Sequence, residues 1–357
     1  MKKMSTNKTS INGIQYLRAY AAILVVLNHF CNTDSLFSKT LGLDKIGGFG
    51  VDIFFIISGF IMAYTLNEFN HTTNKSESIS FIKRRILRIY PIYLIILIPI
   101  ILFYFIKVFF KVTSASFYSV IGSILLIPDI TNDSNYHMLL TPAWTLVYEM
   151  FFYLSLALVI SLSGSKRICI ITYSTILILT ILIVNFFDLQ GARLGWVSFW
   201  YMIGDPIFLD FVLGFLLYKI QSTGFNINIP MFIMFPLLIV ITIIAVYLEK
   251  MGLARIVCFG LTSFVIVSIF TLSNAMKKSN NKQLLFLGAA SYSIYIIHPL
   301  LFPLHKIFRD HFVEIAKNEV SDLLFAITAI VLGCFFYRYI EIKINNIIKS
   351  KLFIKSN

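Results

Sequence analysis

The chain has 357 residues, of which 58% are hydrophobic and only 13% charged, with a mean hydropathy of +0.83 and a net charge of +13. Charged residues at about half their usual share exclude an ordinary soluble globular protein and leave an all-α, polytopic membrane helix bundle. The positive balance does not point to nucleic acid, because Lys and Arg collect at the ends of apolar runs, where membrane topology accounts for them.

A crossing needs about 20 mostly apolar residues. In chain order the sequence offers about ten such runs, near 14–31, 47–66, 87–106, 143–162, 168–187, 204–220, 231–248, 255–274, 284–304 and 321–340. The opening "MKKMSTNKTSINGIQYLR" is basic, but the apolar stretch behind it lacks a small-residue cleavage site and reads as a retained span. The segment 117–128 is too short to cross and is expected at the interface or as a re-entrant piece. No linker, internal repeat or soluble module interrupts the pattern, so residues 1–357 read as one transmembrane domain with a core at about 11–341. Placing the N-terminus inside puts twenty of the 30 Lys and Arg residues on the cytoplasmic side, which predicts N-in, C-in and a multi-pass protein of the cell (plasma or inner) membrane. The four cysteines, Cys31, Cys169, Cys258 and Cys334, are scattered, with neither metal-ligand nor disulfide spacing.

A charged side chain at the centre of a membrane helix costs about 2.5–3.5 kcal/mol on insertion scales, so each one calls for an explanation. Counted from the span ends at about 1.5 Å per residue, His29, Asp52, Glu149 and His298 fall at similar depth toward the outer leaflet. Arg18, Arg84, Arg85 and Arg88 form a second set at the cytoplasmic side. Arg18 and His29 are close to three helical turns apart, so they share a helix face but stand about 16 Å apart along it. Guanidinium groups bind phosphate bidentately, and an imidazole beside a carboxylate suits a general base. The pattern therefore accommodates a long anionic donor such as acyl-coenzyme A, phosphates inside and thioester toward His29. Each residue also has a plainer reading. The arginines of 84–88 can be topological anchors, His298 a kink marker before Pro299, and His29 a structural hydrogen-bonder. Asp52 and Glu149 can be partners of helix-end backbone or of Arg or Lys. His71, His137, His305 and His311 lie in loops or at span ends and receive no role.

Five stretches, in order, resemble the acyltransferase 3 family of integral-membrane acyltransferases: "YLRAYAAILVVLNHF" with Arg18 and His29 at R-x10-H spacing, "GGFGVDIFFIISGFIM" around Asp52, "FIKRRILRIYPIYL" with Arg85, Arg88, Tyr90 and Pro91, "PAWTLVYEMFFYL" with Glu149 and Tyr153, and "SYSIYIIHPL" from Ser291 to Leu300. The resemblance implies transfer of an acyl group, usually acetyl, from acyl-coenzyme A to a hydroxyl of a cell-surface glycan or glycolipid. It implies His29 as catalytic, Asp52 and Glu149 as functional, and Arg18, Arg85 and Arg88 as donor-binding. Arg84, Tyr90, Trp144, Tyr153, Ser291, Tyr295 and His298 are accessory candidates. No permanently bound cofactor or metal is expected; the partners are the acyl-coenzyme A donor, the acceptor, the bilayer and glycan-assembly proteins. Glu341 matches a family glutamate but lacks the proline that follows it in many members. A proton-coupled transporter or flippase is the alternative, since buried Asp, Glu, His and Arg also mark transport paths; the chain lacks the paired, Gly/Pro-broken halves of inverted-repeat transporters.

Overall fold

The computed structural model describes residues 12–31, 36–66, 74–131, 133, 135–191, 193, 195, 197–312 and 319–354. Lys2, Lys3, Lys8, Lys355 and His71 lie outside the described residues. Within them the chain is mainly helical, with two isolated bridges (Asp129 with Ser198, Ile227 with Ser273) and no strand.

The helices are α1 (Asn12–Phe30), α2 (Leu36–Leu41), α3 (Ile46–Thr65), α4 (Asn74–Phe109), α5 (Phe117–Leu125), α6 (Trp144–Leu162), α7 (Lys166–Phe186), α8 (Phe199–Gly204), α9 (Phe208–Ser222), α10 (Met231–Lys250), α11 (Thr262–Leu272), α12 (Asn274–Lys278), α13 (Lys282–Ile297), α14 (Phe302–His311), α15 (Glu319–Phe336) and α16 (Ile342–Ile354). Side chains close several N-termini. Ser165 accepts from the Ile168 amide ahead of α7, and Asn281 accepts from the Gln283 and Leu284 amides ahead of α13. Wider π turns at Ile256–Leu261 and Tyr337–Glu341 lead into α11 and α16.

Among the described residues, seven helical stretches are long and apolar enough to cross a membrane: Ser38–Thr65, Asn74–Phe109, Thr141–Leu162, Lys166–Phe186, Met231–Lys250, Lys282–His311 and Glu319–Ser350. The other three expected runs fall on α1, on α9 with 15 residues, and on the shorter apolar helix Ile256–Leu272. Counting apolar length ignores how much of a helix the protein itself covers. Of α9, residues Phe208, Asp210, Phe211, Gly214, Phe215 and Leu217 are buried. The segment 117–128 forms the nine-residue α5, tied to α4 by hydrogen bonds from Tyr93 to Ser123 O (2.7 Å) and from Tyr90 to Leu125 O (2.8 Å).

Burial separates centre from rim. The apolar window of the α3 stretch is 78% buried, against 28% for the windows of α4, α7 and α15. The rim helices turn outward rows such as Ile95, Ile98, Leu102 and Ile106 on α4, the surface that lipid must cover. At the centre α1 packs between α3 and α13, α3 crosses α9, α13 packs on α15 and α4 on α6. The polar residues singled out in the sequence sit on or beside this central set.

Candidate functional site: a cavity between α3, α4, α6 and α13

A cavity of about 790 Å3, open solvent at its mouth included, runs between α3, α4, α6 and α13, with Arg18 reaching in from α1. Its α3 wall is made of Val51, Phe54, Phe55, Ile57, Ser58, Ile61 and Met62. Most of these recur every three or four residues and define one helix face that extends about 16 Å along the axis. Arg88 and Ile89 contribute from α4, Thr145, Leu146 and Glu149 from α6, and Ser291, Tyr292 and Tyr295 from α13.

The end nearest the start of α1 holds the charge. Arg88 is exposed in the cavity, and Arg18 is half-buried with a 3.3 Å hydrogen bond to Gln15. Arg18 feels Arg88 as a like charge and Glu341 and Glu149 as opposite ones. Glu341 is buried in the π turn before α16 and accepts a hydrogen bond from Ser293 at 2.5 Å. Glu149 accepts hydrogen bonds from Ser58 (3.0 Å) and from Tyr153. Ser291 lines the same cavity with a fully buried hydroxyl that has no protein partner. A buried hydroxyl without a partner is uncommon, and one beside a cavity is available to a ligand.

The other end stops at Tyr295 and Thr145. The Tyr295 hydroxyl donates to Pro142 O (3.0 Å) and meets Thr145 Oγ1 at 2.8 Å. Beyond the ring lies His298, with ring centroids 5.8 Å apart, and His298 Nε2 meets His29 Nδ1 at 2.9 Å. The two imidazoles stack at 4.9 Å, and Phe302 packs its edge against both. His298 is fully buried while His29 is exposed.

The structure therefore groups the candidates differently from the depth count. His29 and His298 are together. Glu149 is with Arg18 and Arg88 in the cavity, away from His29. Asp52 is off the cavity face of α3 and pairs with Arg255 at 2.5 Å, so the plainer reading of Asp52 as an arginine's partner describes it. Neither carboxylate is hydrogen-bonded to His29; the His298 imidazole is its partner. The arginines separate too. Arg85 is buried, donates to Thr65 Oγ1 (2.9 Å) and stacks against Phe81 and Tyr153, behind Glu149 rather than in the cavity. Arg84 pairs with Glu77 at 3.0 Å on the surface, and Tyr90 serves the α5 tie. Trp144 packs edge-on against Tyr148, whose hydroxyl donates to Asp205 (3.0 Å).

Several residues were missed. Asp205 and Asp210 flank Arg255 together with Asp52, and Asp210 is fully buried against the Asp52 carboxyl. Asp210 in "FLDFVLGF" carries the same signal as Asp52, a lone carboxylate in an apolar run. His305, given no role, pairs with the buried Asp322 at 2.7 Å. Among the described residues no group of three or more His, Cys, Asp or Glu is arranged to hold a metal ion.

Apolar rim helices around a central set that encloses a largely apolar cavity with charged residues at one end define a multi-pass membrane protein. A family model for an acyltransferase domain matches residues 11–339, nearly the whole chain, and the chain belongs to that acyltransferase 3 family; it is a membrane acyltransferase. No curated protein and no solved structure matches it.

Proposed function

We propose that this acyltransferase moves an acyl group, acetyl in the first instance, from acyl-coenzyme A to a hydroxyl of a cell-surface glycan or glycolipid. In this reading both termini face the cytoplasm, the bundle crosses the cell membrane ten times, and α1, α9 and Ile256–Leu272 are crossings covered by their neighbours. The observation that carries the reading is one shaft with two guanidinium groups at one end and a histidine pair just past the other.

Arg18 and Arg88 bind the donor phosphates, since they present permanent charge to the cavity without burying it in a salt bridge. The pantetheine arm follows the Ser58–Val51 face of α3, where the Ser291 hydroxyl and Glu149 offer it hydrogen bonds. His29 is the base. In the tautomer this role requires, His29 Nδ1 donates across the 2.9 Å contact to His298 Nε2, which leaves Nε2 of His29 as the lone pair for the acceptor. His29 takes the hydroxyl proton as the acceptor oxygen bonds to the thioester carbonyl carbon. The C–S bond then breaks, coenzyme A leaves as a thiolate that takes up a proton, and His29 releases the one it holds. Arg85 acts through Tyr153 on Glu149 and is a positioning residue.

The test uses purified protein in nanodiscs with acetyl-coenzyme A and a glycan extract. Coenzyme A release that requires the acceptor, with product heavier by one acetyl unit, and a loss of about 100- to 10,000-fold in His29→Ala with donor affinity retained, is the expected outcome. Full turnover in His29→Ala, or proton-coupled uptake without coenzyme A release, would overturn it.

A further inference from the structure

Three features of the far end of the cavity belong together. The walls converge there on Val51, Phe54, Thr145 and Tyr295. The Tyr295 ring is fixed at both sides. Its hydroxyl is held by Pro142 O and Thr145 Oγ1, and its ring edge rests against Phe54 with centroids 6.1 Å apart. Tyr295 and Thr145 are both buried, at 7% and 8% exposure. His298 packs edge-on against the same ring, and neither His298 nor His29 lines the cavity.

Resting on the donor reading above, we infer that the Tyr295–Thr145 crossbar is the specificity-determining end wall of the donor site and restricts the enzyme to short acyl groups. A donor held at Arg18 and Arg88 has its length fixed at that end, so its acyl carbons meet the crossbar. Transfer to a hydroxyl at His29 takes the carbonyl to the edge of the same ring, the place where each added methylene is felt. Phe54 beside the ring and the fully buried His298 against it hold Tyr295 in this position. The wall is the ring itself, whereas the hydroxyl only fixes its position. This distinguishes two substitutions at one residue.

The experiment measures kcat/KM for acetyl-, butyryl-, hexanoyl- and octanoyl-coenzyme A in nanodiscs, alongside displacement of bound labelled acetyl-coenzyme A by each. The wild type is expected to lose about tenfold or more per methylene once the wall is reached, by analogy with other apolar pockets. Tyr295→Ala is expected to move that break to a longer chain in both turnover and displacement. Tyr295→Phe, which keeps the ring, is expected to leave it in place. Val51→Ala provides a second enlargement at the same level should Tyr295→Ala fail to fold. An unchanged chain-length profile in Tyr295→Ala or Val51→Ala, with acetyl-coenzyme A still bound, overturns the end wall and leaves the donor reading standing. Absence of acyl-coenzyme A binding in the wild type overturns the donor reading itself.

Discussion

Arg85 and Arg88 are three residues apart on α4 and do different work. Arg88 opens into the cavity, whereas Arg85 is buried between Phe81 and Tyr153 with its Nε unpaired. A charged hydrogen bond is worth about 1.5–3 kcal/mol, so Arg88→Ala is expected to weaken acyl-coenzyme A binding about 10- to 100-fold with little effect on thermal stability. Removing one member of a buried charged network leaves the remaining members uncompensated. Arg85→Ala is therefore expected to lower the melting temperature of the purified protein, with Arg85→Lys recovering part of it. At the other end, His298→Ala is expected to lower kcat more than donor affinity, because it frees the His29 ring while His298 itself does not line the cavity. A fall in donor affinity equal to the fall in kcat would show that His298 supports the cavity instead.

At the scale of helices, the site depends on how closely α3 and α9 cross. A Cβ on Gly59 would lie 2.3 Å from Phe211 O, and one on Gly214 would lie 2.3 Å from Ile56 O, so backbone meets backbone there. Small residues permit such contact between membrane helices. Gly59→Val is expected to push the helices apart, lowering folded yield in detergent and, through the shift of Ser58, donor affinity as well; yield is read by gel-filtration profile. The elements were legible in the sequence because apolar runs of crossing length are, and the grouping of polar residues was not, because depth was counted without azimuth. Val51, Phe54, Phe55, Ser58, Ile61 and Met62 form the cavity face, and Asp52, one residue on from Val51, is turned about 100° away toward Arg255. The same rule applied to α13 places Ser291, Tyr295 and His298 in one line at i, i+4 and i+7. The pairing of His298 with His29 was within reach of the sequence once that face was drawn. Arg255, at the edge of an apolar run, gave no sign of its partners, which lie 203 and 45 residues away at Asp52 and Asp210.

For the whole molecule, the donor route requires that the Arg18 and Arg88 end face the cytoplasm. Single cysteines in a cysteine-free background test this. Thr113→Cys, beyond α4, is expected to react with an impermeant thiol reagent applied to intact cells. Glu77→Cys, at the start of α4, is expected to react only after lysis. The reverse pattern would invert the bundle. The 28% burial of the rim windows of α4, α7 and α15 also predicts loss of fold on delipidation, read by unfolding temperature against lipid content.

The account depends most directly on what occupies the shaft. A cryo-EM structure with a non-hydrolysable thioether analogue of acetyl-coenzyme A is the decisive measurement. The expected result places the phosphates at Arg18 and Arg88, the arm along Ser58 and Ser291, and the acyl end against Tyr295. Density for the analogue elsewhere, or phosphates at the His29 end, would contradict it.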